Sequence, residues 1–503
     1  MQHPRRCWGG GLADGNVRTD APPRIRVFLN DTESSPKEIV ATTTSLHRQR
    51  GVIAETTLLS EVDGDATAIA VILASTGERH FAWVEAGASL NARALSRMIE
   101  VAERFTSDMV YADGSAWIGG RIREIRRPDF SPLRLLGQDY LGDVMLFDVS
   151  RVLESGSPHG VGRAVPDDLA LRLDPAKIIH VPEPLSRRKV PRRPVDTMAR
   201  AERIRSRLME RGNDLIGATA VVPTGENALR IDFAPINEPL VSIVIPTRGS
   251  SAEIGGQRRT LVVEAVRSIL STSSYRHVEL VVVADDATPQ SVVNELEEIA
   301  GNRLILVRWS ENFNFSAKIN RGAAHASGEF LLILNDDVEI ITPDWIEAML
   351  GLGQQPGIGA VGAHLVFEDG TLQHAGHFYR ARSAGHVAFG WAANKDDATG
   401  SLAVAHEVSG VTGACLLVSA DWFVRAGGFS SLLPGNYNDV DFSMKLRALG
   451  QQIIWTPWAQ LFHFESKTRT PTSTESEFAT LRARWGTRME VDPYWPEDAT
   501  PIG

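Results

Sequence analysis

Leu331-Leu332-Ile333-Leu334-Asn335-Asp336-Asp337-Val338-Glu339 reads as a wholly apolar strand that runs straight into paired carboxylates. Two neighbouring carboxylates at the end of a buried strand are costly unless something cationic meets them. A hard divalent ion, held by one or two carboxylates and a diphosphate, answers that cost. A polar strand-end turn with solvated carboxylates is the plainer alternative. Working outward, the periodicity predicts strands at Val241–Ile245, Glu279–Val283 and Leu304–Val307. Helices are predicted at Leu261–Leu270, from Pro289 onward, at Phe315–Ala326 and at Pro343–Leu352. Strands alternating with helices of this length imply an α/β domain with a mostly parallel central sheet. Ligands of such sheets sit beyond the carboxyl ends of the strands, which selects Pro246–Arg248, Asp285–Thr288 and Asn335–Val338.

Each further candidate has a bland explanation beside the chemical one. Asp285 can accept hydrogen bonds from a base or ribose, yet Asp often starts a turn before a helix. In Gly435-Asn436-Tyr437-Asn438-Asp439-Val440-Asp441-Phe442, the carboxylates suit a helix N-terminus and its dipole. In Leu461-Phe462-His463-Phe464-Glu465, after a strand at Ile453–Trp455, His463 is either a core imidazole or a metal ligand. Gly357-Ile358-Gly359-Ala360-Val361-Gly362 satisfies G-x-G-x-x-G, but a helix precedes it and a strand follows, the reverse of a dinucleotide-binding turn. No Gly-Lys-Ser or Gly-Lys-Thr loop is present.

Taken in order, Val244–Arg248, Asn312–Ser316, Leu334–Val338, Gln373-His374-Ala375-Gly376, Val411–Ala414, Asn438–Asp441 and His463 resemble the family 2 glycosyltransferases of the GT-A fold. The resemblance covers nearly all of Pro239–Arg469 and is strongest to the branch that builds bacterial surface polysaccharides, such as O-antigen rhamnosyl- and galactosyltransferases. It implies an inverting hexosyltransferase that moves sugar from a UDP-, dTDP- or GDP-sugar to a glycan or lipid-linked glycan, with Mg or Mn as cofactor. By the same resemblance, Asp337 and His463 hold the metal and Asp439 is the catalytic base. Thr247, Arg248 and Asp285 hold the nucleoside, and Asn320, Asn335 and Asp336 belong to the donor site. Asn335 stands where many relatives carry the first Asp of the D-x-D motif, and Asn438 where Glu or Asp precedes the base. Both departures bear on donor identity more than on activity. The alternatives are a carbohydrate-binding or scaffold protein on a glycosyltransferase fold, and a nucleotidyltransferase using Gly249–Gly256. The latter leaves Asp439 and His463 without a role.

The first region offers strands at Arg24–Asn30, Ala68–Ala74 and Met109–Tyr111, a helix over Leu90–Phe105, and a closing stretch at Ile178–Pro184. Phe81–Ala88, Val110–Asp113, Arg127–Pro132, Asp168–Leu171 and His180 resemble an eroded copy of the same fold. Ala88 is expected at the place of the metal-binding Asp, which implies a non-catalytic domain. The expected organisation is a disordered N-terminus (1–23), a degenerate GT-A-like domain (24–190), a basic linker with a helix (191–238), the catalytic domain (239–470) and a C-terminal extension (471–503).

Length and composition bound the rest. A chain of 503 residues exceeds one ordinary core, and 43% hydrophobic with 23% charged residues is a globular balance. A net charge of -10 argues against a nucleic-acid partner. Two cysteines, Cys7 and Cys415, exclude a disulfide framework and fit a reducing cytoplasm. No apolar run reaches the ~20 residues of a membrane span, so any meeting with a membrane is expected at its surface.

Overall fold

The computed structural model describes residues 22–62, 66–156, 161–190, 192, 195–209, 215, 217–392, 395–397, 399–464 and 475–495. The expected disordered lead-in with Cys7 lies outside them except for its last residues, as do Glu465 and Arg469 at the end of the predicted catalytic region. The chain divides into two compact units, Met1–Ile204 with Gly225–Leu229, and Arg205–Thr224 with Arg230–Gly503. These bounds differ from the expected ones. The segment after 470 is part of the second unit, and the basic helix (Thr197–Met209) is divided between the two.

The first unit contains β1 (Arg24–Asn30), β2 (Ile53–Leu58), β3 (His80–Glu85), β4 (Ala88–Leu90), β5 (Met109–Ile118), β6 (Arg121–Ile125), β7 (Val144–Asp148) and β8 (Ile178–Arg188). They form one sheet in the order β2-β1-β3-β7-β5-β8-β4, with β6 on β5. Apolar clusters cover both faces. Ala68–Ala74, expected as a strand, is part of a helix over Ala66–Ser75. Ile69 and Leu73, four apart, are buried while Val71 is 65% exposed. A short run that is apolar throughout carries no period by which to tell the two. The predicted helix Leu90–Phe105 starts later, at Ala94, because Leu90 ends β4.

A hairpin of β9 (Ala218–Gly225) and β10 (Ala228–Phe233) follows. The second unit's strands are β11 (Val241–Thr247), β12 (Ser251–Ile254), β13 (Gln257–Thr260), β14 (Val278–Asp285), β15 (Leu304–Trp309), β16 (Phe330–Leu334) and β17 (Val338–Ile340). Then come β18 (Ile358–Val366), β19 (Leu372–His374), β20 (His377–Arg380), β21 (Ser383–His386), β22 (His406–Val408), β23 (Cys415–Ser419) and β24 (Gln452–His463). The main sheet runs β15-β14-β11-β16-β23-β18-β24-β17. Its first four strands are parallel, β23 is antiparallel to both neighbours, and β18 and β24 are again parallel. Buried Val, Ile and Leu fill β11 and β16 because helices cover both faces of this part. The glycine run 357–362 leads into β18 after the helix Trp345–Gly353, the arrangement that excludes a dinucleotide turn.

The two sheets share a topology. β2-β1-β3-β7-β5-β8-β4 has the order and strand directions of β14-β11-β16-β23-β18-β24-β17, β6 on β5 corresponds to β19 on β18, and β15 and β22 have no counterpart among the described residues. Val338 pairs with His463, and Ala88 pairs with Arg188. By this register Gly87, rather than Ala88, stands at the place of Asp337, and Arg188 at that of His463.

Candidate active site

Thr247, Asp285 and Leu334 end the neighbouring parallel strands β11, β14 and β16, so the residues there converge on one edge of the sheet. A cavity of about 700 Å³ opens on that edge. Thr247, Arg248, Asp285, Asn335, Asp336, Asp337, Asp439 and His463 all line it. Asn320 does not. Its amide donates to Phe429 O and accepts from Phe429 N, both at 2.8 Å, so it clamps the chain after a turn rather than facing the cavity.

The Thr247 end of the cavity is tied together by short bonds. Thr247 Oγ1 donates to Asp336 Oδ2 at 2.6 Å and accepts from the Gly249 amide at 2.9 Å. Lys318, 2% exposed, donates to the Thr247 carbonyl at 3.1 Å and forms an ion pair with Asp285. Its helix, Phe315–Ala323, approaches the sheet closely at Gly322, where a Cβ would lie 2.4 Å from Val244 Cγ1. Lys318 was not singled out from sequence, yet it had a signal: it shares the buried face with Phe315, Ile319 and Gly322.

His463 Nε2 lies 3.1 Å from Asp337 Oδ1 and 3.0 Å from Asn335 Nδ2, while Nδ1 is 2.6 Å from Gln373 Oε1. An amide oxygen only accepts, so Nδ1 carries the proton and Nε2 presents its lone pair beside the carboxylate. That lone pair accepts from the Asn335 amide, and a cation that took the amide's place would be shared with the Asp337 carboxylate. Two ligands about 2.1 Å from one octahedral ion stand roughly 3 Å apart, and Gln373 is the kind of partner that orients a ligating imidazole. Burial and the Asp337 charge push the Asp336 carboxyl up to about 7, against Thr247 and Lys318. Burial also acts to raise Asp337, but the charge and hydrogen bond of His463 in its protonated form, with hydrogen bonds from the Asp337 amide and Asn335, together hold that carboxyl below its ordinary range.

Asp439 lies in the first turn of the helix Asn438–Ala448, after Tyr437 at φ +60°. Its Oδ2 accepts from the Gly413 amide at 3.0 Å and its Oδ1 from the Val440 amide at 2.8 Å. Asp441 is fully buried, with Arg484 at 3.0 Å, Trp485 Nε1 at 2.8 Å and Lys445 at 3.3 Å, so it anchors the C-terminal helix Glu475–Trp485. From that helix Glu477 accepts from the Gly435 and Asn436 amides, each at 2.8 Å, and lines the cavity. The sequence gives no sign of this contact, because Glu477 lies far along the chain from the loop it pins.

Residues 242–425 match the family described as Glycosyl transferase family 2, so this stretch of the second unit is a family 2 glycosyltransferase domain. Among curated proteins, the chain is similar to the uncharacterized protein y4gI of Sinorhizobium fredii, 31% identical over 73% of this chain and 42% of the relative. It is similar also to the O-antigen biosynthesis protein RfbC of Myxococcus xanthus, 30% identical over 71% of this chain and 28% of that protein. The chain thus spans less than half the length of either. Among solved structures, GalNAc-T7 with UDP, GalNAc and Mn2+ is 13% identical with a TM-score of 0.40, over 52% of this chain and 50% of that one.

Proposed function

We propose that the second unit is an inverting glycosyltransferase that moves a sugar from a nucleoside-diphosphate sugar to a glycan or lipid-linked glycan in surface polysaccharide assembly. The observation that carries this reading is that one cavity holds both the Asp337–His463 pair and Asp439. Thr247, Arg248 and Asp285 bind the nucleoside, and Asn335 and Asp336 border the diphosphate. A divalent ion such as Mg or Mn, bound by Asp337 and His463, supplies charge to the departing diphosphate. Asp439 takes the proton from the acceptor hydroxyl, whose oxygen bonds to the anomeric carbon as the bond to the diphosphate oxygen breaks. A single displacement of this kind inverts the anomeric centre. The Gly413 and Val440 amides hold the carboxylate in place for it.

The likeness to an O-antigen biosynthesis protein supports the polysaccharide setting. Among the described residues no helix is long and apolar enough to cross a membrane, which is compatible with the proposed cytoplasmic setting and with surface contact to a membrane that carries lipid-linked acceptors. For the first unit we propose a non-catalytic role, because Gly87 replaces the carboxylate and the Arg188 guanidinium fills the cation's place, 2.7 Å from Asp143.

Thermal stabilisation by UDP-, dTDP- and GDP-sugars with and without Mn tests the reading. One nucleotide should stabilise in a Mn-dependent way, and Asp439→Asn should keep that binding while losing transfer. Stabilisation by none of them overturns it.

A further inference from the structure

We propose that His374, His377 and His386 form a second metal site, suited to zinc or a similar borderline transition ion and separate from the Asp337–His463 pair. Each of the three offers one ligand atom, and these atoms all lie within 4.8 Å of one another. The scaffold is short, regular β-structure. His374 ends β19, while His377 begins β20 and faces His386 directly across the β20–β21 ladder. Gly376, at φ +99°, turns the chain between the first two.

The ring geometry is that of a tripod. Centroids lie 5.0, 4.9 and 4.9 Å apart, and the rings are inclined at 78°, 79° and 87°. With metal–nitrogen bonds of about 2.1 Å, three imidazoles on a tetrahedral ion place their centroids roughly 5 Å apart. The rings also meet edge to face, as packed aromatic rings do, so it is the convergence of one ligand atom from each that points to an ion.

The hydrogen bonding agrees. His377 is 3% exposed and its Nδ1 is buried without a hydrogen-bond partner, a deficit that a ligated ion removes. His374 Nε2 accepts from the Thr412 amide at 3.1 Å, so its proton sits on Nδ1, 2.9 Å from His386 Nδ1. That proton stands where the ion would. Binding through Nδ1 moves it to Nε2 and gives up both the bond to His386 and the Thr412 bond, so the site is metal-competent at the cost of two hydrogen bonds. Burial holds both His374 and His377 below the ordinary imidazole range, His377 at about 4, and keeps them in the neutral form that ligates.

Three imidazoles leave a tetrahedral ion one open position. His377 and His386 line the cavity that Asp439 also lines, and the Asp439 carboxylate acts electrostatically on His377. The open position therefore faces the side where the proposed acceptor enters, and a hydroxyl oxygen is the ligand it would take.

The test uses the full chain, stripped with chelator, carrying Asp337→Asn so that the first site is disabled, and given zinc alone or cobalt alone. Native mass spectrometry should find one zinc per chain, and cobalt should give the visible absorption of a four-coordinate ion. His377→Gln and His386→Gln should each weaken zinc binding at least tenfold, with the melting temperature of the metal-free protein unchanged. His386, the least buried of the three, decides alone if the His377 variant does not fold. The proposal is overturned if the Asp337→Asn chain takes up no zinc, or if the histidine variants take it up as well as their parent. Neither outcome depends on the glycosyltransferase reading, since metal content is the readout.

Discussion

Gln373 Oε1 lies 2.6 Å from His463 Nδ1, and both side chains are buried. The bond decides which nitrogen of His463 faces Asp337, so Gln373 governs the pair proposed to hold the metal without being one of its ligands. Gln373→Leu should therefore weaken Mn-supported nucleotide binding by roughly 10- to 100-fold. Calorimetry with UDP and Mn reads the affinity, and circular dichroism shows that the fold persists. Unchanged Mn dependence would remove Gln373 from the site.

Lys318 ties the end of β11 to the end of β14 through the Thr247 carbonyl and Asp285. Lys318→Met keeps the aliphatic stem but leaves the carbonyl and the carboxylate without their cation. The second unit should lose about 2 kcal/mol, visible as a lower urea midpoint, and nucleotide affinity should fall with it because Thr247 and Asp285 no longer share a fixed spacing. Asp285→Asn should reproduce the loss of affinity at a smaller loss of stability, since Asp285 is partly exposed.

How much of this was legible follows from how local each signal is. The alternation of strands and helices from Val241 to Leu352 is a local period, and the elements lie within a few residues of their expected places. The strand-end carboxylates also declared themselves locally, through the cost of burying them. Asn320 sits among motif residues, but the backbone of Phe429, 109 positions away, takes both of its amide atoms. Glu477 and the Asp441–Arg484 pair were invisible for the same reason. The tripod of histidines was readable only in part: His374 and His377 adjoin in sequence, but only the β20–β21 register brings His386 to them.

Glu477 holds the Gly435 and Asn436 amides a few residues before Asp439. Glu477→Ala should free that loop and displace Asp439, the proposed base, while leaving the Thr247 end of the cavity intact. The expected result is a kcat lower by roughly 10- to 100-fold with nucleotide affinity unchanged. Steady-state kinetics beside nucleotide titration separates the two, and a parallel loss of both would place Glu477 in general stability instead.

His364 packs on Trp455 at 5.6 Å, and its Nδ1 is buried without a partner. Burial lowers its pKa from 6.5 to about 4. Below the unfolded value the unfolded chain binds a proton that the folded chain refuses. Stability is therefore full above about pH 6.5 and falls as the pH drops towards 4, by up to about 3 kcal/mol from this residue. His364→Phe should remove this residue's share of the dependence of the urea midpoint on pH over that window, leaving the slope from His374 and His377, which act in the same direction.

Arg188 occupies in the first sheet the register position that His463 occupies in the second. Its Nε meets Asp143 at 2.7 Å and its Nη2 donates to the Ala86 carbonyl at 3.0 Å. A fixed guanidinium thus stands where the second unit is proposed to recruit a mobile cation, and it needs no nucleotide to complete its coordination. Removing it should expose a buried carboxylate that Arg192, at 3.4 Å, compensates only in part. Arg188→Met should destabilise the first unit by about 3 kcal/mol, seen as an earlier proteolytic cleavage within residues 24–190. It should create no Mn or nucleotide binding there, because Gly87 supplies no carboxylate in place of Asp337. Mn-dependent nucleotide binding that survives Asp337→Asn and is lost in Arg188→Met would contradict this and make the first sheet a working site.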